Sequence, residues 1–249
     1  MSDAWSGKGL ALDVMGRFEE SLEACNKALE IDPENAMAWD HKGFALCDLG
    51  RFDESLACFD KALELQPENK MIWNNKGTVL TTVNKHEEAI RCYDRALEID
   101  PEYAKALMGK GASLCALGEF DEAIEHFDRA IDLGLTHPDI WSNKGIALAS
   151  LGKFSEALEC LDKGLEMNPS DADSWTNKGG VLAIMEKYDE ALKCFDTALK
   201  INSQNPRAWA GKGIALEELD RTAEAKEATA KAEELGFDPQ PISTSSFYF

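Results

Sequence analysis

Apolar residues recur at helical spacing along the chain and come in paired segments. Between residues 36 and 69 the apolar and small positions lie mostly three or four residues apart, at Trp39, Gly43, Leu46, Leu49, Phe52, Leu56, Phe59 and Leu63. Such spacing marks one face of an α-helix, and the alternation of a half-buried β-strand is missing. Gly50 interrupts the pattern near its centre. The segment therefore predicts two helices joined by a short turn.

The same pattern returns with a period of 34 residues. It is marked by six tryptophans and one leucine, which are Trp5, Trp39, Trp73, Leu107, Trp141, Trp175 and Trp209. The period divides most of the chain into seven units, which are 2–35, 36–69, 70–103, 104–137, 138–171, 172–205 and 206–239. A tail, 240–249, follows the last unit. A fixed period of this size predicts one continuous array of repeats rather than two ordinary domains.

Residues inside the units recur as regularly as the tryptophans. Each unit carries Lys-Gly three residues after its tryptophan or leucine, as in Lys42-Gly43, and small residues recur in the columns of Ser55 and Ala62. The pattern resembles the tetratricopeptide repeat (TPR) family over residues 2–239, with Lys where that family usually has Leu. The resemblance implies an all-α fold, a right-handed α-α superhelix (solenoid) of antiparallel helix pairs. It also implies recognition of a protein or peptide.

Turn and capping residues predict where the helices end. Left-handed residues that can end the first helix of a pair are Gly16, Gly50, Gly118, Gly152 and Asn84. Residues suited to cap the start of a first helix are Asn35, Asn69, Asp171 and Asn205, and prolines suited to its first turn are Pro138 and Pro206. The fifth unit begins irregularly, because residues 134–137 replace the usual Asp-Pro-Glu-Asn.

Two recurring features predict contacts between helices. A glycine inside a helix costs about 1 kcal/mol relative to alanine. Its recurrence in every unit therefore predicts close helix approach, with Gly43 against Ser55 or Ala62. The lysine before each glycine can cover apolar surface with its stem. We expect its ammonium group to join a ladder of ion pairs with aspartates of the second helices, which are Asp60, Asp94, Asp128, Asp162 and Asp196.

Charge and cysteine content narrow the class of partner and the compartment. The chain carries 26 Lys and Arg against 46 Asp and Glu, a net charge of −20. That balance disfavours nucleic acid and anionic membranes as partners. Seven cysteines without a Cys-x-x-Cys motif favour a reducing cytoplasm. Four share one repeat column, and we expect them to be small packing residues: Cys58, Cys92, Cys160 and Cys194.

Motifs for catalysis and metal binding are incomplete. Gly-Lys-Gly at 7–9 lies inside a predicted helix and lacks the remainder of a P-loop. The helix that starts at His86 has Ile90 where a second zinc ligand would stand. Asp171-Ala-Asp173 lacks the later glycine and glutamate of a calcium loop. The sequence therefore predicts a non-enzymatic chain without cofactor or metal, and no transmembrane helix or secretory signal fits it.

The first helices line the concave face of such a solenoid, so we expect the binding residues there. One column, directly before the lysine, contains His41, Asn75, Asn143 and Asn177. In similar long TPR proteins an asparagine in this column bonds the backbone of an extended peptide. The alternative is that these asparagines are solvated groove residues. Neighbouring candidates for the groove are Met37, Met71, Met108, Asn74, Phe44, Thr78 and Lys105.

The predicted function is a protein-interaction scaffold that binds an extended peptide or a partner protein in this groove. The lysines of the carboxylate clamp found in chaperone-binding relatives are mostly missing, so we do not expect a chaperone C-terminus as the ligand. The alternative function is self-assembly through the terminal units and the tail. The tail predicts a disordered segment, or else Phe247, Tyr248 and Phe249 dock on a neighbouring molecule or on the groove.

Overall fold

A computed structural model describes residues 1–237, and these residues form fourteen helices. In chain order the helices are α1 Ser2–Val14, α2 Phe18–Ile31, α3 Ala36–Asp48, α4 Phe52–Leu65, α5 Lys70–Thr82, α6 His86–Ile99, α7 Ala104–Leu117, α8 Phe120–Asp132, α9 Pro138–Ser150, α10 Phe154–Met167, α11 Ala172–Ile184, α12 Tyr188–Ile201, α13 Pro206–Glu218 and α14 Thr222–Glu234. The predicted all-α fold of helix pairs is confirmed. The hypotheses on the tail lie outside the described residues.

The helices pack as pairs and fall into two compact units. In each pair a first helix, with an odd number, packs against the second helix that follows it. One unit covers Met1–Leu135 and contains α1–α8, and the other begins at Thr136 and contains α9–α14. Within each unit, neighbouring first helices also pack side by side, as α1 does on α3. The division falls at the irregular turn, residues 134–137, that the sequence marks.

The helix ends follow the predicted residues. Asn35, Asn69, Asp171 and Asn205 each accept a hydrogen bond from a backbone N–H in the first turn of the helix they precede. Gly118 has a φ of +82° and Asn84 a φ of +59°, so both adopt the left-handed backbone that the turns require. These side-chain caps satisfy backbone groups that a helix end would otherwise leave without a partner.

A large side chain from each middle second helix fills the space beside a glycine. Phe59, Tyr93, Phe127 and Phe195 are fully buried. A Cβ at Gly43 would lie 2.8 Å from Cζ of Phe59. The prediction that Gly43 faces Ser55 or Ala62 is therefore only partly right: the ring occupies the space, while Ser55 donates its hydroxyl to the Gly43 carbonyl at 2.6 Å. The glycine is needed because the ring lies directly against the helix backbone.

The expected ion-pair ladder joins consecutive repeats. Lys110 Nζ lies 2.9 Å from Asp94 Oδ1, and Lys212 Nζ lies 2.7 Å from Asp196 Oδ1. Lys76 pairs with Asp60 and Lys178 with Asp162 in the same way. Each lysine thus bonds the second helix of the preceding repeat. Along residues 1–237, no helix has the length and apolar character that crossing a membrane requires.

Candidate functional site

Several predicted site residues lie on one face of three neighbouring first helices. We call this the first-helix face of α3, α5 and α7, and it consists of Met37, Asp40, Phe44, Met71, Asn74, Thr78, Lys105 and Met108. Within each helix these residues are three or four positions apart, which places them in one stripe. The three helices belong to one compact unit, Met1–Leu135, and α5 packs beside both α3 and α7.

The asparagine column bridges neighbouring repeats. Asn75 on α5 donates from Nδ2 to Asp40 Oδ1 on α3 at 3.0 Å. His41, one place further back in the column, has Nδ1 2.9 Å from the Ser6 hydroxyl on α1. These two predicted site residues therefore use polar atoms to join helices. Neither the peptide-bonding role nor the solvated one describes them fully.

The second unit contains the other two members of the column. Arg207 on α13 donates from Nη2 to Asn177 Oδ1 at 3.1 Å, and Asn177 is buried. Asn143 on α9 is partly exposed and makes no side-chain hydrogen bond with the described residues. In this unit the amide of Asn177 is therefore hydrogen-bonded, and the amide of Asn143 is not.

Asn74 differs from Asn75 because its amide has no partner. The residue is 8% exposed, and its side chain makes no hydrogen bond within the described part of the chain. In that part, the side-chain atoms that are both sealed from solvent and unpartnered are Asp13 Oδ1 and His86 Nδ1. The amide atoms of Asn74 are not among them, so they retain some exposure to solvent. A buried amide that is unpartnered and reachable is suited to a ligand.

Asp40 is a buried carboxylate that the sequence analysis did not select. It is 3% exposed, and among residues 1–237 no Lys, Arg or His nitrogen lies within 4.0 Å of it as an ion-pair partner. Burial raises the pKa of Asp40, while the hydrogen bond from Asn75 and the nearby His41 lower it. The signal that could have identified it is a charged residue in a stripe otherwise occupied by Met37 and Phe44.

The rim of the first-helix face is apolar and accessible. Met71 is 45% exposed, Met37, Phe44 and Met108 are partly buried, and Thr78 is exposed. The Thr78 hydroxyl donates to the Asn74 carbonyl at 3.1 Å, so it is held by its own helix. Lys105 is exposed at the start of α7. Methionine side chains are flexible enough to repack around different ligands.

Lys70 and Tyr103 form a further pair of neighbouring residues that the sequence pattern did not predict. Lys70 forms an ion pair with Asp100, and its ammonium lies 5.0 Å from the centre of the Tyr103 ring. Burial raises the pKa of Tyr103, Lys70 lowers it, and Asp40 raises it, so Tyr103 lies near that carboxylate. A pocket of about 710 Å³ opens beside Lys70 and is lined by Gln66, Pro67, Glu68, Asn69, Lys70, Met71, Ile99 and Asp100.

The described cysteines and acidic residues form no metal-binding group, and the pKa values of several thiols are raised. No group of three or more His, Cys, Asp or Glu within residues 1–237 could hold a metal ion. Burial raises the pKa of the thiols of Cys92 and Cys194 to about 11, so at neutral pH they are protonated. None of the seven cysteines, which all lie within residues 1–237, forms a disulfide bond. Thiols with such pKa values pack as small apolar groups rather than acting as nucleophiles.

Sequence profiles described as tetratricopeptide repeat match residues 2–35, 34–102, 70–133, 138–171 and 172–205. These matches cover more than half of the chain. The chain belongs to the tetratricopeptide repeat family. TPR repeats are in general protein-interaction modules, and the family is typically non-enzymatic.

Solved TPR structures are similar to the chain over most of its length. The structure of YrrB, a TPR protein with an unusual peptide-binding site, has 28% sequence identity and a TM-score of 0.57, covering 73% of this chain and 93% of that one. PilF of Pseudomonas aeruginosa has 21% identity and a TM-score of 0.73, covering 90% and 97%. The Cut9–Hcn1 structure has 16% identity and a TM-score of 0.83, covering 99% and 48%. The last two support the solenoid fold alone. A search of curated proteins finds no match.

Proposed function

We propose that the chain is a non-enzymatic scaffold that binds an extended segment of a partner protein along the first-helix face. The observation that carries the proposal is the unpartnered amide of Asn74, nine-tenths buried and reachable beside Asp40. An amide can donate to a backbone carbonyl and accept from a backbone N–H. Asn74 can therefore bond an extended chain without requiring a particular side chain.

The surroundings of Asn74 supply the apolar part of such a site. Met71 lies one turn before it and Thr78 one turn after it on α5. Met37, Phe44 and Met108 border this stripe on the neighbouring helices. Apolar side chains of a bound segment can pack on these residues while its backbone meets the amide. In the second unit, we assign the same role to Asn143, with Asn177 held in place by Arg207.

A charge-matched pair of variants tests where the partner binds. Met71→Arg/Thr78→Arg adds two arginines to exposed positions of the first-helix face. Asn26→Arg/Ala57→Arg adds two arginines to exposed positions of the second helices α2 and α4. Each protein is used as bait in lysate of the organism that encodes it, and bound proteins are quantified by mass spectrometry.

Partners that the first double variant loses by tenfold or more, and that the second retains, would support the first-helix face. Circular dichroism should show the same helix content and thermal midpoint for both variants. If both variants capture the same partners as the unmodified chain, the binding site is elsewhere and the proposal is wrong.

Self-association is a second candidate function, and the exposed stripe on α1 favours it. The stripe consists of Ala4, Gly7, Ala11 and Val14, and Val14 is 82% exposed. In the next repeats, residues of the corresponding stripe pack on the preceding first helix, as His41 does on Ser6 and Ser113 on Thr81. A second copy could therefore cover α1. Sedimentation velocity should then be measured between about 1 and 100 µM protein, a range that spans micromolar dissociation constants. The expected result is a mass that increases with concentration, and Val14→Glu should abolish the increase.

A further inference from the structure

Asp40 lacks the cation that a buried carboxylate ordinarily requires. The residue is only 3% exposed. Of its two carboxylate oxygens, only Oδ1 accepts a hydrogen bond, from Asn75. Desolvating a carboxylate is costly unless an opposite charge and further hydrogen bonds compensate for it. In the described residues no such charge lies within ion-pair distance. One oxygen of this carboxylate is therefore left for a group that the chain does not supply.

The second carboxylate oxygen of Asp40 is unpartnered among the described residues and retains some exposure to solvent. Oδ2 has no hydrogen-bond partner in residues 1–237, yet it is not one of the sealed, unpartnered atoms in that range. It can therefore be reached from solvent. Asp40 and Asn74 occupy the same position of consecutive repeats, and α3 packs beside α5, so both belong to the stripe of the first-helix face.

The described cationic residues of this region make no ion pair with Asp40, including Lys105, which is exposed on the same face. Lys70 is held by Asp100 and lies over the Tyr103 ring. Lys42, two residues after Asp40, lies 5.2 Å from the centre of the Trp39 ring. His41 has its Nδ1 on Ser6. No cation of the described residues pairs with Asp40, so a bound ligand can supply one.

We propose that the bound segment carries a lysine or arginine whose cationic group pairs with Asp40 Oδ2, while Asn74 bonds the backbone beside it. This inference rests on the proposed function and names the class of segment it binds: a basic residue flanked by apolar ones. The apolar neighbours fit because Met37 and Phe44 lie one turn to either side of Asp40 on α3. The net charge of −20 also steers a basic segment toward the chain.

The test selects ligands without assuming their identity. A phage library of random twelve-residue peptides is selected against three full-length proteins: the unmodified chain, Asp40→Asn and Asp53→Asn. Asparagine at position 40 keeps an oxygen that can accept from Asn75, so it removes charge with little change in shape. Asp53 is an exposed carboxylate on α4 of the same repeat and serves as the matched control.

The unmodified chain and Asp53→Asn should both enrich peptides with Lys or Arg at one fixed place between apolar residues. Asp40→Asn should lose that preference. Fluorescence polarisation with synthetic copies should then show a loss of about ten- to hundredfold in affinity when the basic residue is replaced by methionine, as expected for a charge-assisted hydrogen bond. This second measurement uses the unmodified chain and does not depend on how well the variant folds.

Two results would overturn the proposal, and they are distinguishable. Peptides that bind at the first-helix face but show no basic preference, or that bind Asp40→Asn equally well, would refute the role of Asp40 and leave the proposed function standing. Peptides whose binding is unaffected by Met71→Arg/Thr78→Arg, or a library that yields none, would contradict the proposed function itself.

Discussion

Gly7 and Gly109 occupy the same column of the repeat but have opposite surroundings. A Cβ at Gly109 would lie 2.5 Å from Cζ of the buried Tyr93 ring, whereas a Cβ at Gly7 would meet no atom within 4 Å. Tyr93 is also held against Gly77, on its other side, where a Cβ would lie 2.7 Å from the ring. The ring between α5 and α7 therefore requires glycine on both helices, while the glycine on α1 has no such packing reason.

Alanine at these two positions should change stability in opposite directions. Gly7→Ala should stabilise the chain by about 1 kcal/mol, because it removes the helix penalty of glycine. Gly109→Ala should destabilise it by about 1–3 kcal/mol, because the core has no room for the methyl group. Urea unfolding followed by circular dichroism measures both. An equal gain in stability for the two variants would show that Tyr93 does not pack as described.

Asp13 is a residue whose charge opposes folding. Its Oδ1 is sealed and has no partner in the described residues, and burial, with a smaller contribution from Asp48, raises its pKa from 3.8 to about 6. Between these two pH values the native state holds the proton more tightly than the unfolded state. The free energy of unfolding therefore falls as pH rises through this window.

Asp13→Asn should remove this penalty. The variant should have a higher thermal midpoint than the unmodified chain at pH 8, and the difference should shrink at pH 5, where the carboxyl group of the native state is largely protonated. Glu23→Gln, at an exposed position of α2, should show a small difference that is the same at both pH values. A pH-independent effect of Asp13→Asn would contradict the assignment.

Single residues also mark the limit of what the sequence predicts about the site. The repeat columns select Asn74, Asn75 and Met71 because column position reports which face of a helix a residue occupies. They do not distinguish Asn74 from Asn75, since the difference is a hydrogen bond to Asp40 on another helix. Asp40 stands out in the sequence as a charge between Met37 and Phe44, but its burial depends on neighbouring repeats and is not predicted by its own column.

The turns between helices of a pair are nearly identical in backbone but differ in sequence. Gly152 has a φ of +75°, and Glu186 and Asp220 adopt +59° at the equivalent places. Side chains other than glycine pay roughly 1 kcal/mol for this left-handed conformation. The sequence predicted the turns that contain glycine or asparagine, but Glu186 and Asp220 carry no such signal. Their conformation is imposed by the packing of the helices on either side.

Glycine exchanges at these turns should reveal the imposed strain. Glu186→Gly should stabilise the chain by about 0.5–1 kcal/mol, and Gly152→Ala should destabilise it by a similar amount. Both positions lie in the second unit, so one urea titration monitored by circular dichroism compares them directly. Loss of stability in Glu186→Gly would mean that the glutamate side chain contributes more than its backbone costs.

At the scale of the whole molecule, the repeat period predicts the number and order of the helices but not their division into two compact units. The period is uniform across Leu107 and Trp141, so the sequence predicts a continuous array, and this stays a prediction. The irregular turn at residues 134–137 is the only sequence signal near the boundary between Leu135 and Thr136. The first-helix face lies wholly within the first unit, so the proposed binding site involves only helices of α1–α8.

Site-specific photo-crosslinking tests the central claim, that a partner segment lies along the first-helix face. Benzoylphenylalanine replaces Thr78, exposed on α5, or Ala57, exposed on α4 as the control. Each protein is irradiated with a partner recovered by the bait experiment, and adducts are mapped by mass spectrometry. Crosslinks at position 78 to one short, basic segment of the partner, with few or none at position 57, are the predicted result. Crosslinks mainly at position 57 would contradict the account.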